Sequence, residues 1–379
     1  MSIRLMHLAD LHLGAPLSYL GDKAEERARE LESALVRALS AAAAKKVDAI
    51  LISGDLFDRF NPPLDLVARV KNAFAKLSRE NIPVLLIPGT HDSHRYARCI
   101  YHRERFPGVD VLMETGKPVQ KQINGHTIYF YGFSGSDSPV SPSSLFCRTP
   151  ADGMHVALVH GTVAENDRWE SSPRDFSVTP ADIGNSSFDY VALGHHHNFK
   201  QFKRGKTTAL YPGTLEGLTF GESGDRFLVI VALDENGVSV EKLKHNRRAL
   251  KEIEIDLSQS GLDCGESLER AIARFFDGES IASVSLTGSI DFLPSPKELE
   301  ARLAGGFFHL QITDNTSIYD SAVMRSIAHD RTVRGIFARK MLKKIEIANV
   351  EEKPALELAL RLTLQQFQQV HYENQRALD

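Results

Sequence analysis

Six residues have types and spacings suited to metal chemistry. Asp10 and His12 flank Leu11, Asp55 follows Gly54, His160 precedes Gly161, and His195 and His197 flank His196. Each lies at the end of a short apolar run. On an extended strand, residues i and i+2 point the same way, so Asp10 with His12, and His195 with His197, can each converge on one ion. The same alternation turns His196 away and makes it a bystander. Singly, these residues have bland uses, an Asp as a turn cap and a lone His as a packed core residue. Jointly they are harder to dismiss, because five strand ends, including Gly89-Thr90-His91-Asp92, each deliver Asp or His. Mixed nitrogen and oxygen donors suit Mn, Fe or Zn better than Mg or Ca. The inventory meets the needs of two ions sharing a carboxylate, which activate a water and stabilise the attacking and leaving oxygens of a phosphoryl displacement.

The elements that must position these residues alternate strand and helix, as in an α/β fold. Residues 3–8, 48–53 and 84–87 read as strands, and 23–45 and 64–79 as helices. Leu31, Leu35 and Leu39 mark the buried face of the first helix. Further apolar runs cover 127–132, 155–160, 189–193 and 226–232, and the Ser/Pro-rich stretch 134–150 reads as a loop. Ligands gather beyond the carboxyl ends of strands in such sheets. Composition shifts near residue 245. The expected organisation is a first domain over 1–245, a small βαβαβ domain over 246–316, and a helical region over 317–379.

Composition excludes little. The chain has 379 residues, 42% hydrophobic and 25% charged, with a formal net charge of -4, so any polyanion must be held by local basic patches. Its three cysteines, Cys99, Cys147 and Cys264, are far apart, which argues against a disulfide framework and fits a reducing cytosol. No membrane span or signal peptide is legible, and a cytoplasmic location is expected.

The motifs Asp10-x-His12, Gly54-Asp55, Gly89-x-His91-Asp92, His160 and Gly194-His195-x-His197 resemble the signature of calcineurin-like metallophosphoesterases, in order across residues 3–232. His7–Gly14, Gly54–Asp58, Asn61-Pro62-Pro63, Ala192–His195 and Tyr211–Thr214 are similar to those of SbcD-type DNA repair exonucleases. The resemblance implies a four-layer α-β-β-α sandwich whose βαβαβ domain caps the active site. It implies two divalent ions, with Mn first and Fe or Zn as alternatives. Asp10, His12 and His197 would hold one ion, His160 and His195 the other, and Asp55 would bridge them. His91 would serve as general acid for the leaving oxygen or stabilise developing charge, oriented by a hydrogen bond to Asp92. Thr90 departs from the pattern, for the family usually places there an Asn whose carbonyl oxygen ligates the second ion. A Thr hydroxyl is a weaker donor of shorter reach, so the second position should be looser.

DNA is the expected substrate. The segments His94–Arg98 and Tyr101–Arg105 mix basic and aromatic residues that can hold a phosphate backbone and stack a base, or form a solvated helix face. Arg325, Arg331, Arg334, Arg339, Lys340, Lys343 and Lys344 are opposed within 325–344 only by Asp330. Beyond Pro354, Leu356, Leu360, Leu364 and Phe367 recur at helical spacing. Such a stripe ordinarily packs on its own domain. The resemblance offers a second use, docking onto an SbcC-like SMC-type ATPase, and a homodimer is also open. A phosphoesterase of small substrates would use the same ligands, and a nonenzymatic scaffold with a degraded site would keep the fold.

Overall fold

The computed structural model describes residues 2–135, 145–164, 176–235, 237–258, 262, 264–288, 294–316 and 322–376. The chain divides into two compact units, Met1–Ala249 and Leu250–Asp379. Most of the 134–150 loop expected from sequence lies outside the described residues.

The first unit is built on two six-stranded sheets. One sheet runs β12 (Gly237–Lys244), β11 (Phe227–Asp234), β1 (Ile3–Leu8), β2 (Ala49–Ser53), β3 (Val84–Ile87) and β4 (Val109–Val111). The other runs β5 (Val119–Ile123), β6 (His126–Ser134), β7 (Met154–His160), β8 (Tyr190–Gly194), β10 (Thr207–Tyr211) and β9 (Lys200–Arg204). The strands that lead into the expected ligands pair in parallel, β1 with β2 and β2 with β3 in one sheet, β7 with β8 in the other. Parallel strands are buried on both faces, which is why they read as unbroken apolar runs.

Alternate residues divide between two cores. Leu5, Leu51, Leu85 and Ile87 of the first sheet meet Phe130, Val156, Leu158 and Ala192 of the second. Each such buried Leu, Ile, Val or Phe side chain contributes roughly 1.5–3 kcal/mol. The outer face of the second sheet packs Phe133, Val159, Leu193 and Tyr211 against Phe146, Phe176, Ile183 and Phe188. Ile183 lies on a short helix (Pro180–Asn185), whose Thr179 and Asp182 form a reciprocal cap. Helices α1 (Ala24–Ala44) and α2 (Leu64–Ser78) flank the first sheet with Leu31, Leu35, Leu39, Val67, Val70 and Phe74 buried. Two large sheets flanked by helices are the layered α/β arrangement expected.

The second unit has a wholly parallel sheet of β13 (Leu250–Asp256), β14 (Ile281–Thr287) and β15 (His309–Asp314). Helices Gly265–Ala273 and Pro296–Leu303 make the crossovers of the βαβαβ pattern. Helices Ala322–His329, Val333–Ile347 and Lys353–Arg376 add Met324, Ile327, Met341, Ile345, Leu360 and Leu364 to the same core as the sheet. The leucine stripe of the tail is therefore largely consumed within its own unit, with Phe367 against Phe337.

One polar chain crosses the apolar interface between the two large sheets. His7 is fully buried, its Nδ1 2.8 Å from Tyr190 Oη and its Nε2 3.1 Å from Ser53 Oγ. Ser53 Oγ donates to the Ala192 carbonyl at 2.9 Å. The assignment of protons follows: Tyr190 donates to Nδ1, and Nε2–H donates to Ser53, so the ring is neutral. Burial pushes the His7 pKa down to about 3. The unfolded chain takes up a proton near pH 6.5 that the folded chain refuses until about 3. This contribution to stability is complete above the unfolded pKa and is lost as pH falls. His7→Gln should accordingly show a shallower loss of stability than wild type between pH ~6.5 and ~4 in urea unfolding; equal slopes would refute the neutral buried ring.

Candidate metal centre

The two i, i+2 pairs of expected ligands do not sit on strands, as alternation predicts, whereas His160 is the last residue of β7. β1 ends at Leu8 and β8 at Gly194, so Asp10, His12, His195 and His197 lie on exit loops. Convergence comes from left-handed backbone instead. Asp10, His12, Asp55 and His195 have φ of 54°, 45°, 50° and 105°. Sparsely populated conformations of this kind cost on the order of 1–3 kcal/mol each and persist only where surrounding bonds over-determine them. Here the Asp10 N–H donates to the Gly54 carbonyl at 3.1 Å, and that of His12 to the Asp55 carbonyl at 3.0 Å. The His195 N–H meets both Asp10 oxygens, at 2.9 and 3.0 Å. Two glycines allow the close approach. A Cβ on Gly54, at φ 90°, would lie 2.2 Å from His160 Nδ1, and one on Gly194 would lie 1.8 Å from the Ser53 carbonyl oxygen.

Ligand atoms of Asp10, His12 and His197 gather within 4.8 Å of one another, as do those of Asp10, Asp55 and His160. His12 Nε2 and His197 Nε2 are 3.2 Å apart, and His160 Nε2 is 3.2 Å from Asp55 Oδ2. The ring of His195 lies edge-on to that of His160, centroids 5.4 Å apart. His196 instead packs edge-on against Tyr211, in keeping with its expected bystander part.

The Nδ1 atoms of His197, His12 and His160 each have a partner outside the clusters. His197 Nδ1 donates to Glu222 Oε1 at 2.8 Å, His12 Nδ1 to Asp58 Oδ1 at 3.2 Å, and His160 Nδ1 to the Ser53 carbonyl at 2.9 Å. In the neutral rings this leaves the Nε2 atoms as acceptors. Two acceptors then face each other between His12 and His197, and an acceptor faces a carboxylate between His160 and Asp55. Such an arrangement calls for positive charge. Although burial opposes a charged His160, Asp55 beside it overrides burial and raises its pKa to about 10. Burial likewise opposes the Asp55 carboxylate, but His160 and His12 hold it below the usual carboxylate range. His12 is raised against burial by Asp58, Asp55 and Asp10. The donor set, two buried carboxylates among imidazole nitrogens, therefore fits divalent cations, which would supply the positive charge that protons otherwise bring. Thr90 Oγ1 stands 3.3 Å from Asp55 Oδ2 and 3.5 Å from His160 Nε2, beside the second cluster, as its place in the sequence suggests.

His91 and Asp92 part company. The His91 side chain is 49% exposed, its backbone N–H donates to Asp55 Oδ1 at 2.8 Å, and its Nδ1 lies 3.2 Å from the Asp58 carbonyl. Its ring meets His12 edge-on at 4.6 Å. Asp92 is fully buried and turns the other way, accepting from the N–H groups of Gly89 and Phe57 and from Tyr101 Oη. The expected Asp92–His91 hydrogen bond is thus replaced by contact between His91 and Asp58. The reason is the turn: Asp92 closes it by bonding back to Gly89, three residues earlier. Burial and the Asp55 charge push the Asp92 pKa up to about 6. Tyr101 is buried on Asp92 and presents no face to a base, whereas Tyr96 is exposed and stacked on Phe60 with centroids 4.2 Å apart.

Asp58 and Glu222 went unsingled in the sequence. Asp58 closes the Gly54–Asp58 motif, and its presence there is the one local signal. Glu222 carries none, since its partner is fixed only by folding. Burial raises the Glu222 carboxyl, but the His197 hydrogen bond and charge outweigh it and leave the pKa lowered.

Residues 3–199 match the calcineurin-like phosphoesterase family. Over 248 residues the chain is 28% identical to the uncharacterized metallophosphoesterase YhaO of Bacillus subtilis (strain 168), covering 63% of this chain and 59% of that protein. It is 26% identical over 253 residues to the DNA double-strand break repair protein Mre11 of Methanosarcina mazei, covering 63% and 38%. With the protein of the same name from Aeropyrum pernix, identity is 27% over 290 residues, covering 68% and 64%. The chain thus spans between 38% and 64% of the length of these curated relatives. Among the described residues, no helix is long and apolar enough to cross a membrane.

Gly54→Ala combines a left-handed φ with a clash against His160. It is expected to destabilise the metal-free protein by about 2 kcal/mol or more in urea unfolding. A variant as stable as wild type would mean that the close approach is not enforced.

Proposed function

The chain belongs to the calcineurin-like phosphoesterase family, and from that premise we propose that it is a metal-dependent DNA nuclease acting with two divalent cations, Mn foremost. The observation that carries the metal reading is the approach of His12 Nε2 and His197 Nε2 to 3.2 Å of each other beside buried Asp10 and Asp55. Asp10, His12 and His197 are the residues for one cation, His160 and His195 for the other, with Asp55 shared. When bound, such cations supply an activated water and neutralise charge on the attacking and leaving oxygens.

The chain's own residues do the rest. Asp58 accepts from His12 and holds His91 through its carbonyl, which leaves His91 Nε2 to carry a proton to the leaving oxygen. Asp92, bonded to Gly89, Phe57 and Tyr101, fixes the turn that presents His91. DNA as substrate is supported by the relatives named as DNA double-strand break repair proteins. Exposed Tyr96, Arg98 and Arg105 on the segment after His91 offer stacking and phosphate contacts. The second unit is assigned the guiding of DNA and the docking of an SMC-like ATPase. With Leu360 and Leu364 buried, docking would fall to exposed Leu358 and Leu362 on the same helix and to Ile347 and Val350 before it.

The test is the full chain with Mn and labelled single- and double-stranded DNA, beside a small phosphodiester. Cleavage of DNA is expected. Hydrolysis of the small diester alone would replace this reading with a small-substrate phosphodiesterase, and Mn binding without any hydrolysis would leave a scaffold. His91→Ala should lose about 100- to 10,000-fold in cleavage rate while binding Mn as before. Thr90→Asn should reach full activity at lower Mn; an unchanged Mn requirement would count against a weakened second position.

A further inference from the structure

Glu222 donates nothing to the proposed ligand set, yet the structure builds a rigid seat for it. Its side chain is 6% exposed. Oε1 accepts from His197 Nδ1 at 2.8 Å and from Thr219 Oγ1 at 3.0 Å, while Oε2 accepts from Thr214 Oγ1 at 3.2 Å and the Leu218 N–H at 3.0 Å. The loop that supplies these partners is itself pinned to the start of the chain. Arg27, fully buried, donates to the Gly217 carbonyl at 3.0 Å and pairs with Glu216 at 2.9 Å, and Tyr19 Oη donates to the Leu218 carbonyl at 2.8 Å. A solvated acid on a surface loop would require none of this.

The other Nδ1 partners make the comparison. His12 also has a carboxylate, Asp58, behind it. His160 has the neutral carbonyl of Ser53. A carbonyl fixes the tautomer; a carboxylate fixes it, adds negative charge, and makes the opposite nitrogen a stronger donor. Both histidines of the Asp10 cluster therefore have a carboxylate as Nδ1 hydrogen-bond partner, whereas His160 bonds to a carbonyl, with Asp10 Oδ1 farther off at 3.9 Å. Thr90 lies beside that second cluster and offers only a hydroxyl.

Resting on the two-cation reading above, we propose that Glu222, together with Asp58, is a positioning residue that makes the Asp10/His12/His197 position the tighter of the two. The two positions then fill in order, this one first, and the second sets the metal concentration at which the protein becomes active.

Calorimetric titration of Mn into the metal-free full chain tests this without reference to catalysis. Wild type should show two unequal binding steps. Glu222→Gln should weaken the tighter step by about 10- to 100-fold and leave the weaker one in place, with unchanged circular dichroism. Two steps identical to wild type in Glu222→Gln would overturn the proposal, and so would equal weakening of both, which marks a merely structural role. Should Glu222→Gln not fold, Asp58→Asn, on a side chain 21% exposed, carries the same expectation for the tighter step and the same refutation. Wild type that binds fewer than two ions would instead overturn the two-cation reading itself.

Discussion

Around the ends of β1, β2, β7 and β8, the chain brings carboxylates and imidazoles together at close range. Two carboxylates, Asp10 and Asp55, are buried there, and the imidazoles that face them turn their Nδ1 atoms away to Glu222, Asp58 and Ser53. Burying a carboxylate without compensation is costly, and like groups facing each other make it worse. The cluster is stable only if positive charge enters it, as protons on His160 and His12 or as divalent cations. Much of the surrounding structure is explained by the need to keep these groups from relaxing apart.

That restraint is supplied by the join between the two sheets. Ser53 serves both: its hydroxyl links His7 to the Ala192 carbonyl, and its own carbonyl receives His160. Asp10 reaches across to the His195 N–H, so the left-handed exits from β1 and β8 brace each other. Glycine at 54 and 194 is required because the opposing atoms would otherwise overlap a Cβ. The apolar core between the sheets supplies the stability against which four left-handed residues are held.

The environment behind each imidazole then differentiates the two clusters. Carboxylate-backed His12 and His197 stand opposite a carbonyl-backed His160 with a threonine beside it. Within one fold and one set of residue types, hydrogen-bond partners on the far side of the ring decide donor strength. The same logic separates neighbours in sequence, for His91 faces Asp58 and solvent while Asp92 is buried among backbone N–H groups and Tyr101.

The sequence alone carried the strand–helix alternation, the βαβαβ order of the second unit and the residues that converge, because periodicity and residue type are local properties. It also flagged Thr90. Strand alternation pointed to Asp10 with His12 and His195 with His197, but through a geometry the chain does not use. Left-handed loops, stabilised by bonds from distant strands, achieve the convergence. Asp58 and Glu222 became meaningful only in three dimensions, since they meet His12 and His197 from 46 and 25 residues away. Tyr101, basic-flanked in sequence, proved to be a buried prop for Asp92. Which atom lies behind an imidazole is a long-range contact, and only the packing of the two sheets decides it.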